Sequence, residues 1–185
     1  MRFVLASGSP QRREILERLG IGFEVRVSGV EETTRGDPAE VVLANALLKA
    51  RAVADGVPGE LVIGCDTDVV LEDRVIGKPE DEGQAREHLA RLSGRSHRVL
   101  SGLAIVGPGD GPPRTGLAES TVRFRELGPA EIERYIGSGE WRDRAGGYAI
   151  QGRGSALVAA VEGDISNVIG LPVGLLLDLA PELDL

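Results

Sequence analysis

Hydrophobic positions come in short bounded runs, and their spacing switches between the alternation of strands and the wider repeat of helices. Residues 2–6 predict a first strand, Ser7-Gly8-Ser9-Pro10 a tight loop, and Gln11 to Leu19 a helix stopped by Gly20. Phe23 to Ser28 alternates as a second strand. Pro38 to Ala54 reads as an amphipathic helix, with Val41, Val42, Ala46 and Leu48 among its apolar positions and Lys49 in its later half. Leu61 to Val70 is a short β-branched run bounded by Pro58-Gly59 and Glu72-Asp73, the pattern of a buried strand. Val69–Leu71 and Arg74–Ile76 then predict a hairpin, Gly77-Lys78-Pro79 a junction, and Glu80 to Leu92 a helix with an acidic start.

The second half has a different texture. His97 to Val106 and Gly116 to Leu127 predict long antiparallel strands joined by the Gly/Pro-rich turn 107–113. A short helix, Pro129 to Ile136, is followed by the glycine-rich loop Ala145 to Gly154, a strand Ser155 to Val161, and a helix from Ser166 to Ala180 broken at Gly170-Leu-Pro172. Strands and helices alternate early and strands dominate late. We therefore expect an α/β fold on a mixed twisted sheet, a single domain over residues 1–185 with two lobes around one central cleft.

Composition narrows the function classes. Only 3% of residues are aromatic, so aliphatic side chains must do most of the packing. A net charge of −8 argues against non-specific nucleic-acid binding, which depends on Lys and Arg at phosphates. One cysteine excludes an internal disulfide and a cysteine-only metal cage, and neither histidine has a second ligand at zinc spacing. The N-terminal apolar stretch ends at Ser7, too early for a signal peptide, and the run from Ile169 is broken by Gly170, Pro172 and Asp178. A cytoplasmic protein without a membrane span is expected. The Val/Leu-rich C-terminal stretch could support a homodimer, and nothing in the sequence decides it.

Chemistry concentrates at Asp66. A carboxylate within an apolar strand is costly unless something pairs it or uses it, although a strand end that merely releases an aspartate to solvent would look the same. The small-residue loop Ser7–Pro10 before a helix is a ready anion site, with Arg12 and Arg13 in the first turn. Only Lys49 and Lys78 are lysines among 21 basic residues. Asp66-Thr67-Asp68-Val69-Val70 also matches the D-x-D-x-[TV] motif of haloacid-dehalogenase-type phosphatases, with Asp66 as nucleophile and Asp68 as acid/base. That motif normally opens its domain, whereas here 65 residues precede it and no later acidic metal motif is evident. His97 reads as a structural, hydrogen-bonding histidine, Tyr135 and Trp141 as packing residues, and Asn167 as a brace for the following loop.

Several blocks fall in order along the chain: Ala6-Ser-Gly-Ser-Pro-Gln-Arg-Arg-Glu-Ile-Leu16, Glu31-Glu32, Lys49-Ala50, Gly64-Cys-Asp-Thr67, Gly77-Lys-Pro79, Ser93-Gly-Arg-Ser-His97, Ser101-Gly-Leu103, Asp143-Arg-Ala-Gly-Gly-Tyr-Ala-Ile-Gln-Gly152 and Asn167-Val-Ile-Gly-Leu-Pro172. Together they closely resemble the Maf family of nucleoside triphosphate pyrophosphatases, from residue 3 to about 176. The resemblance implies an elongated fold similar to inosine triphosphate pyrophosphatase. It also implies hydrolysis between the α and β phosphates with a divalent metal, Mg2+ or Mn2+. Thr67 and Tyr148-Ala-Ile-Gln151 side with the branch acting on dTTP and UTP, a role linked to nucleotide-pool cleansing and restraint of division. Asp66 takes the family's proton-acceptor position. Ser7, Arg12, Lys49 and Lys78 are candidates for the phosphates, Glu32 and Asp66 for the metal, and Thr67 and Gln151 for the base. Gln11 stands at a position tied to substrate choice where the family usually carries arginine, and Leu48 where a glutamate commonly precedes the lysine. A nucleotide-sensing regulator of septum formation with little turnover is the non-enzymatic alternative.

Overall fold

The computed structural model describes residues 2–109 and 111–183, so Asp110 of the expected 107–113 turn lies outside the described residues. In chain order the elements are β1 (Phe3–Leu5), α1 (Pro10–Arg18), β2 (Phe23–Val25), α2 (Pro38–Ala54), β3 (Leu61–Leu71), β4 (Arg74–Ile76) and α3 (Glu82–Leu92). There follow β5 (Ser96–Val106), β6 (Arg114–Phe124), α4 (Pro129–Ile136), β7 (Val158–Glu162), α5 (Ile165–Ile169) and α6 (Val173–Leu179). The strands form one mixed sheet in the order β2-β1-β3-β5-β6-β7, with β4 paired to β3. The chain divides into two compact units, and β3, β5 and β6 each contribute one part to either unit.

The first unit comprises Met1–Thr67, Ser101–Ala118 and Gly170–Leu185. Here β1 pairs in parallel with both β2 and β3, Phe3 opposite Phe23 and Leu61. Asp37 caps α2 by accepting from the amides of Ala39 and Glu40, and Pro38 fills a first-turn position where its missing N–H costs nothing. The helix lies almost against the sheet backbone. A Cβ on Gly64 would stand 2.1 Å from Ala46 O, and one on Gly102 would stand 2.2 Å from Val42 O. Only glycine permits that approach, and small residues (Ala46, Ala50, Val62, Ala104) complete the layer.

The second unit comprises Asp68–Leu100 and Glu119–Ile169. The end of β3 turns into β4 through Glu72 and Asp73, both at positive φ (50° and 60°), a mirror-image turn matched to the strands' twist. The aromatic residues are few but concentrated here: Phe124, Tyr135, Trp141 and Tyr148 share one core with Leu89, Leu92 and Ile136. His97 sits edge-on to Phe124 and Tyr148 and shares a 2.8 Å hydrogen bond with the Tyr148 hydroxyl. Burial pushes this imidazole down to about 4, so it is neutral at pH 7 and structural, as expected. Asn167 donates to Val99 O and the Ser120 hydroxyl, bracing β5 and β6.

Four expected elements have a boundary that moves by two residues or more, among them the strand expected over Gly116 to Leu127, which runs from Arg114 to Phe124. The second strand ends at Val25 rather than Ser28 because β1, the strand it pairs with, stops at Leu5. The helix expected from Glu80 starts at Glu82, with Asp81 as its cap accepting from Gln84 N. The strand expected from Ser155 begins at Val158, because residues 152–157 coil into 3-10 turns closed by the Ser155 hydroxyl on Gly152 O. Among the described residues, no helix is long and apolar enough to cross a membrane.

Candidate active site

Asp66 is delivered by β3 and is 8% exposed. Both of its oxygens are engaged: Oδ1 accepts from Lys49 Nζ at 2.8 Å and Oδ2 from Asn45 Nδ2 at 2.8 Å. Lys49 and Asn45 stand one turn apart on the same face of α2. The Lys49 ammonium also meets Glu32 Oε1 at 2.9 Å, so one cation bridges two carboxylates. Burial would raise the Asp66 carboxyl. The charge and hydrogen bond of Lys49, the Asn45 amide and the charge of Arg12 outweigh it, and the carboxyl titrates below its usual range. Asp66 is therefore ionised at neutral pH.

A second network adjoins it in the same unit. Arg12, 8% exposed, donates from Nε to Gly170 O (2.9 Å), from Nη1 to the Ser7 hydroxyl (2.9 Å) and from Nη2 to the Thr67 hydroxyl (3.1 Å). All three of these acceptors are neutral oxygens. The Arg12 charge helps to lower the neighbouring Asp66 carboxyl, and the guanidinium stays a candidate for holding an anion. Thr67 also shares a 2.8 Å hydrogen bond with the fully buried Ser101 hydroxyl. Gln11 turns its amide oxygen to the Ser9 hydroxyl at 2.9 Å, on the loop entering α1. Cys65, wholly buried beside Asp66, has its thiol pushed up by burial and is inert as a nucleophile.

The first unit thus brings together Ser7, Arg12, Glu32, Lys49, Asp66 and Thr67. Lys78 and Gln151 belong to the second unit, where both side chains are exposed. The Gln151 loop is tied down by Glu140, whose carboxylate accepts from the amides of Arg153 (3.1 Å) and Gly154 (3.2 Å). Asn45 is the participant the sequence reading missed. Its i,i+4 spacing to Lys49 was the available signal.

The donor set decides how a divalent cation could be held. Among the described residues no three His, Cys, Asp or Glu side chains cluster as a metal cage. Two carboxylates, Glu32 and Asp66, converge on a single positive charge. That count suits magnesium, which keeps one or two carboxylates and takes its remaining ligands from water and phosphate oxygens.

Known proteins resemble the chain over most of its length. The "dTTP/UTP pyrophosphatase" of Moorella thermoacetica is 50% identical over 93% of this chain and 90% of its own length. Proteins of the same name from Anaeromyxobacter sp. and Deinococcus radiodurans are 48% and 45% identical, over 93% and 96% of this chain and 84% and 91% of theirs. Among solved structures, the Staphylococcus aureus Ham1 protein is similar at 15% identity and TM-score 0.48, over 67% of this chain and 72% of that one, too weak a likeness to add to the sequence relatives. The family model described as Maf-like protein matches residues 2–183, and the chain belongs to that family.

Proposed function

We propose that this protein is a nucleoside triphosphate pyrophosphatase that hydrolyses dTTP and UTP between the α and β phosphates. The observation that carries the reading is the buried Asp66 carboxylate, ionised and oriented by Lys49 and Asn45, next to a guanidinium whose bonds go to neutral oxygens. The names of relatives at 45–50% identity support the same reaction and substrates.

The chemistry asks for three things, and the residues supply them. A triphosphate needs local cations in an acidic protein, and Arg12 and Lys49 provide them. The attacking water needs a base, and Asp66 accepts its proton as the water oxygen bonds to the α phosphorus and pyrophosphate departs with the bridging oxygen. Lys49 both lowers the basicity of Asp66 and is the group a phosphate oxygen would attract. Drawing the ammonium toward substrate would remove one of the influences that hold the Asp66 carboxyl low. Glu32 and Asp66 would hold Mg2+ or Mn2+, which when bound neutralises phosphate charge and polarises the reacting phosphorus. Thr67 and Gln11 are assigned to base and substrate selection.

The phosphatase reading of Asp66 and Asp68 is not favoured. The relatives carry pyrophosphatase names, and the motif stands 65 residues into the chain rather than opening its domain. Incubation of the protein with dTTP or UTP and magnesium should release pyrophosphate and the monophosphate, and Asp66→Asn should abolish release without unfolding the protein. Orthophosphate as the first product would revive the phosphatase, and tight binding without turnover would favour the sensor.

A further inference from the structure

Asn45 is 2% exposed and its carboxamide is committed on both ends. Its Oδ1 accepts from Thr33 N at 2.9 Å, while Nδ2 donates to Thr33 O at 3.0 Å and to Asp66 Oδ2 at 2.8 Å. The reciprocal pair with Thr33 fixes which end of the amide faces the carboxylate. A flipped amide would set oxygen against Asp66 and the Thr33 carbonyl and N–H against the Thr33 N–H, three repulsions in place of three bonds. Lys49, one turn on, repeats the pattern with charge: it takes the other oxygen of Asp66 and the carboxylate of Glu32, the residue before Thr33. Two side chains of α2 therefore each hold one oxygen of the strand acid and one point of the 32–33 segment.

They are not equivalent. An ammonium is drawn to incoming phosphate oxygens, whereas a neutral amide gains nothing by leaving a carboxylate that it already satisfies. We infer that Asn45 is a positioning residue for the pyrophosphatase reaction, fixing the plane of the Asp66 carboxylate and tying Glu32 to it when Lys49 turns to substrate. The inference rests on the function proposed above.

Two variants separate positioning from simple support. Asn45→Ala removes every bond. Asn45→Asp keeps an acceptor for the Thr33 N–H but replaces the donor facing Asp66 with a second carboxylate oxygen. Turnover and KM for dTTP, thermal unfolding, and amide hydrogen exchange at Thr33 are measured on both. Asn45→Ala should lose about 10-fold or more in kcat with KM for dTTP held within about twofold, the pattern of a misaligned reacting group. Asn45→Asp should keep the Thr33 amide protected and still turn over no faster than Asn45→Ala. Near wild-type kcat in Asn45→Asp would reduce Asn45 to a loop latch and overturn the inference. So would a folded Asn45→Ala with undiminished kcat, or one that loses only KM, and this variant decides alone if Asn45→Asp does not fold. Wild-type protein releasing no pyrophosphate from dTTP or UTP would overturn the proposed function and this role with it. Active wild type beside an equally active Asn45→Ala would overturn the role alone.

Discussion

At the scale of single residues, the energetics turn on one nearly buried ion pair. Removing one partner of such a pair is costly because the other charge is stranded, typically by about 3–5 kcal/mol. Lys49→Met should approach that loss at pH 7, since Asp66 would keep only the Asn45 bond against its own burial. The pH dependence has a definite sign. Asp66 titrates below its unfolded value in the folded protein, so its contribution is present above the unfolded pKa and is lost as pH falls through the folded one. Without Lys49, two of the influences that lower the carboxyl are gone, so protonation costs less stability. Urea unfolding followed from pH 7 down to about pH 2 should therefore show the gap between wild type and Lys49→Met narrowing, most of it below the unfolded aspartate pKa; a constant gap across that range would mean that the pair contributes nothing through Asp66. Lys49 and Asp66 were legible in the sequence because a rare lysine and a strand aspartate are conspicuous. Asn45 was not, since asparagine in mid-helix is unremarkable until the 32–33 segment returns to meet it.

At the scale of elements, the site depends on how closely α2 approaches the sheet. Gly64, two residues before Asp66, is with Gly102 one of two points of contact, and any side chain there must displace the helix that carries both Asn45 and Lys49. Gly64→Ala should cost about 1–3 kcal/mol by overpacking, and more if the helix cannot shift. Its turnover should fall further than stability alone explains, because a displacement of roughly an ångström at the reacting groups is itself worth about 100-fold. A stable Gly64→Ala protein with full activity would show that α2 does not set the geometry of Asp66. The elements that were legible carry strong local signals: Asp37-Pro38 opens α2, Pro129 opens α4, and Glu72-Asp73 closes the hairpin. Those that shifted depend on partners elsewhere. β2 stops with its neighbour, and residues 152–157 coil because Gly154 fits against Ala149 O, where a Cβ would stand only 1.9 Å away.

At the scale of the whole molecule, a chain of net charge −8 has to admit a highly charged anion. The conflict is resolved by range. Screening confines exposed charges to about 8 Å at physiological salt, so the general acidity acts weakly on a ligand that has reached Arg12 and Lys49. Their fixed donors are close and sheltered, and both are less than a tenth exposed. A small polyphosphate can enter such an island; a polymer must lay many phosphates over the surrounding acidic surface at once, without the counterion release that drives nucleic-acid binding. Pyrophosphate should therefore compete with dTTP, raising its apparent KM. A DNA duplex at the same total phosphate concentration, in about 0.15 M salt, should leave the rate unchanged. Inhibition by the duplex would mean that positive charge extends well beyond the two side chains held around Asp66, and the expectation of no nucleic-acid partner, drawn from composition alone, would fall with it.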